Sequence, residues 1–155
     1  MKKPKLAVTS IDKSIAELVR RTNHKVLAIW AADCAERVLP YFEKRYPEDN
    51  RPRRAIEAAR VWAQTGVFKM ADVRNTALAA HAAAREVEEG NAARSAARAA
   101  GQALGTAHVP GHAIAAAIYA ATAVRDATNS SDADAATAKE RNWQYQHLLE
   151  LVEDL

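Results

Sequence analysis

ADVRNTALAAHAAAREVEEGNAARSAARAAGQALGTAHVPGHAIAAAIYAATAVRDA, residues Ala71 to Ala127, is the stretch that decides the fold. Alanine has the highest intrinsic helix propensity and almost no side-chain bulk, so the block reads as helices whose backbones approach closely. It divides itself. Gly90 separates a helix over Ala71 to Glu89 from one over Ala92 to His108, with Asn91 as N-cap of the second. Val109-Pro110-Gly111 is a turn, and His112 to Ala127 forms the third member. Gly101 and Gly105, four apart in the middle helix, are expected to permit a still closer helix crossing. The three helices share A-x-x-A patterns, which fits a decayed hairpin repeat or alanine richness alone.

Outward from the block the pattern stays helical. Ser10 can cap a short helix through Arg21, and Thr22 or Asn23 starts a second in which Val26, Leu27, Trp30, Cys34 and Val38 recur at helical spacing. Pro40 either kinks that helix or opens a short successor ended by Pro47. Asp49 or Asn50 caps RPRRAIEAARVWAQT, with Pro52 in its first turn and Gly66 as the stop. The polar loop Thr128 to Asp132 caps a last helix over Ala133 to Glu153, carrying Trp143, His147, Leu148, Leu151 and Leu155 along one side. No stretch alternates like a strand. The expected fold is all-α, a single compact bundle of six to eight helices with close-packed alanine-rich members. Residues 1–10 are expected to form a flexible basic tail, and residues 11–155 a single helical domain.

Composition bounds the function. Leu, Ile, Val and Phe make up about 19% of the 155 residues, just under the roughly 20% that warns of disorder. That warning requires high net charge, and here it is only +3. The 22 basic and 19 acidic residues are mostly mixed along helices, which disfavours nucleic acid as a partner. The exceptions are Lys2, Lys3 and Lys5, and then Arg51, Arg53 and Arg54. Cys34 is the only cysteine, so no internal disulfide forms. No apolar signal core or membrane-length run is present, and a cytoplasmic protein without membrane contact is expected.

Large polar residues stand out among the alanines. Asp33 and Arg37 are four apart, either a helix-surface pair or, for Asp33, a half-buried carboxylate that anchors another helix or lines a cleft. His81 and Arg85 share that spacing, as do Arg94 and Arg98 on the next helix. These cations either pair internally with Asp33, Glu36, Asp72 or Asp126, or line an anion-binding cleft. His108 and His112 flank the VPG turn, which breaks the helix that would align them for a metal. HExxH, ExxH and CxxC motifs are absent, as are a nucleophile elbow and a phosphate loop, so no metal, cofactor or catalytic residue is assigned. A composite of Asp33, Glu36, His81, His108 and His112 stays open. His24 and His147 read as surface or boundary residues, and Cys34 as a small core residue.

Three stretches carry a resemblance: LAIWAADCAERVLPYFE (Leu27 to Glu43), ADVRNTALAAHAAARE (Ala71 to Glu86) and AARAAGQALGTAHVPGHAIAAAIYA (Ala96 to Ala120). Together they resemble the helical Imm-5-like family of immunity proteins of bacterial polymorphic toxin systems. WAADCAE and AHVPGHA are the most specific elements. The resemblance implies a cytosolic protein that binds and neutralises a cognate protein toxin without catalysis. Many immunity proteins that cover basic nucleases are acidic, so this mildly basic chain fits a strongly basic nuclease less well. Two alternatives remain: a small helical enzyme or metal/ligand-binding protein using the His/Asp/Arg cleft, and a nucleic-acid accessory protein; under any of these readings a homodimer through an exposed alanine or tryptophan face stays open.

Overall fold

The structure is a computed structural model that describes residues 4–154. Lys2, Lys3 and Leu155 lie outside the described residues. Seven helices follow one another: α1 (Asp12–Arg20), α2 (His24–Glu43), α3 (Arg51–Thr65), α4 (Met70–Arg85), α5 (Ala92–Gly105), α6 (His112–Ala127) and α7 (Ala133–Glu153). No strand occurs among the described residues. The expected all-α bundle with close-packed alanine-rich helices is the observed fold.

The alanine block supplies the centre. α5 buries Ala93, Ala96, Ala97, Ala99, Ala100 and Ala103 and packs against α2, α3, α4 and α6 together. A helix surrounded on so many sides works only with short side chains, because larger ones would push its neighbours apart. Bulk comes from α2 instead, where Trp30, Val38, Leu39 and Phe42 are almost wholly buried. α1 and α7 close the side of α6.

Local chemistry sets three of the boundaries. Asn23 accepts from the Val26 N–H and Asn91 from the Ala93 N–H, capping α2 and α5. Gly66 adopts φ 68°, the left-handed stop expected of α3. Pro40 neither ends α2 nor opens a new helix, since α2 continues to Glu43. α4 ends at Arg85, before the expected Glu89, and Glu86 to Asn91 form the turn into α5. Ahead of α1, Ala7 is buried and its N–H donates to Thr122 Oγ1 at 2.9 Å. Arg125 also donates to the Pro4 and Lys5 carbonyls.

The last helix buries an unexpected side. Thr137, Glu140, Arg141, Gln144 and Leu148 face inward, while Trp143 and His147 sit at its border. Arg141, with its side chain 2% exposed, donates to Asp12 Oδ1 at 2.8 Å and to Gln144 Oε1 at 2.8 Å. Gln144 donates to the Ala117 carbonyl, and its own carbonyl accepts from Trp30 Nε1. This polar thread ties α7 to α1, α2 and α6. Burial pushes the Asp12 carboxyl up, but hydrogen bonds from Arg141 and Thr9 outweigh that and hold it below the ordinary carboxylate value.

Candidate functional site

The singled-out polar residues fall into separate places. The first is a pocket of about 410 Å³ lined by α4, α5 and the turn into α6. Two glycines make it. A Cβ on Gly101 would lie 2.7 Å from His81 Nε2, and one on Gly105 would lie 3.2 Å from His112 Cγ. The glycine pair therefore seats imidazole rings, where a closer crossing of helix backbones was expected.

Hydrogen bonds orient both rings. Arg98 donates to His81 Nδ1 at 2.9 Å, so the neutral ring carries its proton on Nε2. Burial, followed by the charges of Arg98, Arg85 and His112, lowers the His81 pKa to about 4. His112 donates through Nδ1 to Gln102 Oε1 at 2.6 Å, which leaves Nε2 as an acceptor in the neutral ring. The pocket thus offers a donor from His81 and an acceptor from His112 between apolar walls of Val73, Ala77 and Leu78, with Arg74 also on its lining. His108 is exposed at its edge and stacks on Phe68, ring centroids 5.9 Å apart.

The second place is a charged cleft of about 320 Å³ where α2, α3 and α7 meet. Asp33 and Arg37 are both here but do not pair with each other. Asp33 accepts from Arg60 at 2.7 Å and from His147 Nε2 at 2.7 Å, so it anchors two helices. Arg37 forms a two-pronged pair with Glu140, at 2.8 and 3.0 Å, and lies 3.8 Å over the Trp143 ring. The Glu140 bond raises the Arg37 pKa despite partial burial. Arg60 also bonds Glu36 at 3.0 Å. With every charge matched, the cleft is built to clamp helices, and little is left to act on a ligand.

Arg94 and Arg98 belong to neither wall. Arg94 donates to the Val87 carbonyl at 2.9 Å and lies 3.9 Å from Glu89. Arg85 is exposed, with no hydrogen bond or ion pair among the described residues. None of these cations pairs with Asp33, Glu36 or Asp72. The composite of Asp33, Glu36 and the three histidines does not assemble, because the acids line the α2–α3–α7 cleft and the histidines line the other pocket. No group of three or more His, Cys, Asp or Glu side chains among the described residues could hold a metal ion.

Arg60, Glu140 and Gln102 were missed at the level of sequence. Arg60 was detectable: it borders the stripe Ala55, Ile56, Ala59 and Ala63 that α3 buries. Glu140 and Gln102 carry no such signal, since their partners are fixed only by tertiary packing. His147, read as a boundary residue, is bound to Asp33 and stacked on Trp143.

A family model described as "Imm-5 like putative immunity protein" matches residues 17–151. No curated protein and no solved structure matches the chain.

Proposed function

Because the chain belongs to the Imm-5 like family of putative immunity proteins, we propose that it neutralises a cognate protein toxin in the cytoplasm by binding it, without catalysis. One observation supports a particular contact face. Of the eight large hydrophobic residues exposed among the described ones, Met70 and Leu78 are in the wall of the His81–His112 pocket and Phe68 is at its edge, with Val67 and Val109 next to that edge in sequence. Apolar side chains concentrated around one concavity are what an interface core needs. A toxin side chain entering the pocket would shed water from this rim. His81, His112 and Arg74 would then supply the directional polar contacts.

Other features fit binding better than chemistry. Cys34 is fully buried, and burial followed by the charges of Glu140 and Asp33 pushes its thiol well above the ordinary value, the opposite of an activated nucleophile. No helix among the described residues is long and apolar enough to cross a membrane. Nucleic acid is a poor fit to the basic stretch after Asn50, because Arg51 is engaged by Asp49 and Glu86 and Arg53 by Glu43.

The test is protection. Toxin domains from the native host are expressed singly, with and without this chain. Relief of growth arrest for one toxin, together with a stoichiometric complex, is the expected result. Failure to relieve any toxin that arrests growth, with the chain folded and abundant, overturns the proposal.

A further inference from the structure

Arg98 faces a different cavity from the one that holds His81. This cavity, of about 600 Å³, lies between α5, α6 and the segment that precedes α1. Lys5, Arg94, Arg98 and Arg125 line it, against the carboxylates of Glu89 and Asp126. Four cations thus meet two anions. Arg125 and Asp126 bond each other at 3.1 Å, and Arg125 spends its other donors on backbone carbonyls. Glu89 is far out in solvent, 77% exposed, and only loosely near Arg94. The surplus positive charge therefore rests on Lys5, Arg94 and Arg98.

Three of the lining groups have bonding capacity to spare. Ser95 is 9% exposed, and its hydroxyl has no hydrogen-bond partner among the described residues. A helical serine can bond back to the carbonyl four residues earlier or leave its hydroxyl open to solvent, and with no partnerless oxygen buried among the described residues Ser95 does the second. Arg98 uses one guanidinium nitrogen on His81 and has no carboxylate partner among the described residues. Tyr119 lines the same cavity, and its hydroxyl has no hydrogen-bond partner among the described residues.

We propose that this cavity is an oxyanion site that takes a phosphate group, with the Ser95 hydroxyl and the free Arg98 nitrogens as its donors and Lys5 and Arg94 as flanking cations. A planar guanidinium and a hydroxyl lining the same cavity are suited to phosphate, and the surplus of two charges matches a dianion. Asp126 and Glu89 disfavour anions bulky enough to press against them. The site does not depend on the toxin-binding reading.

Arg98 also gives the site a reporter. It touches His81, whose other charged and titratable neighbours are Arg85 on its own helix, His112 at the start of α6, and Arg74 and His108 around the pocket. An anion on Arg98 offsets the nearest of these cations and makes His81 easier to protonate.

The experiment titrates inorganic phosphate, and in parallel acetate at matched ionic strength, into the full chain while the His81 ring is followed by NMR. The expected result is saturable phosphate binding with an upward shift of the His81 pKa, and a weaker response to acetate. Ser95→Ala, a change that favours the helix, is expected to weaken binding about threefold to tenfold, and Arg98→Gln by more than about tenfold. Helical circular dichroism confirms that both variants fold, and Ser95→Ala carries the test if Arg98→Gln does not. Linear, non-saturating shifts, or binding unchanged in Ser95→Ala, overturn the proposal. A free phosphate ion and a phosphate ester are separated by repeating the titration with a nucleoside monophosphate. Tighter binding than inorganic phosphate assigns the site to an ester, and equal or weaker binding assigns it to the free ion.

Discussion

His147 donates through Nε2 to Asp33 at 2.7 Å, joining the last helix to the second across 114 positions of sequence. Arg60 holds the other Asp33 oxygen at the same distance, so one carboxylate pins three helices. Asp33→Ala is expected to lower stability by about 1–2 kcal/mol, because it strands two donors at once. In a double-mutant cycle with His147→Ala, the coupling is expected at about 0.5–1 kcal/mol, since both side chains are partly solvated. Chemical denaturation of the four proteins measures it. Strict additivity would mean that the contact contributes nothing.

Gly101 and His81 make a sharper pair. In an otherwise unchanged chain, Gly101→Ala drives a methyl against the imidazole, at 2.7 to 3.0 Å, and is expected to reduce the melting temperature. With His81→Ala already present the obstacle is gone. The same Gly101→Ala change should then stabilise the helix by about 0.5–1 kcal/mol. A reversal of sign between the two backgrounds is the signature, and thermal melts of four proteins reveal it.

The buried guanidinium of Arg141 makes a third prediction. Arg141→Ala removes the partner of Asp12 and of Gln144 and is expected to destabilise by about 3 kcal/mol. Arg141→Met, which restores volume but not hydrogen bonds, should recover only part of that loss. Denaturant midpoints check both.

Acid sensitivity follows from His81. Its folded pKa is about 4 against an ordinary 6.5, so between those values the unfolded chain binds the extra proton. Stability is therefore whole above about pH 6.5 and falls as the pH drops towards 4. The loss is expected at about 1–2 kcal/mol once solvent screening of a partly reached ring is allowed for. Asp12, Glu43 and Asp49, whose carboxyls are held low in the fold, add their losses only lower down, near and below pH 4. Urea midpoints at pH 7.5 and pH 5 should therefore diverge in the native chain and converge in His81→Gln.

Helices were legible where backbone chemistry is local. Asn23, Asn91 and Gly66 act at their own positions, and α6 and α7 begin where the turn residues before them predict, although Asp132 makes no side-chain cap bond to α7. The inward side of α7 was not legible, because periodicity looks for apolar stripes and this one runs through Glu140, Arg141 and Gln144. Those polar groups are buried only because Arg37, Asp12 and the Ala117 carbonyl come from elsewhere to meet them. The histidines were visible as exceptions among alanines, and so were the glycines. That each glycine seats one histidine ring needed the register of α4 and α6 on α5.

The central claim is that the apolar rim around the His81–His112 pocket meets the toxin, and it is tested most directly by inhibition. The cognate toxin is titrated with the native chain, with Phe68→Asp and Leu78→Asp together, and with Arg54→Glu as a charge change elsewhere on the surface. Both substituted rim residues are exposed, so the variant is expected to keep its fold and melting temperature. The account predicts that inhibition by the rim variant weakens by about a hundredfold or more while Arg54→Glu inhibits like the native chain. Full inhibition by a folded rim variant would contradict it and place the toxin on another face.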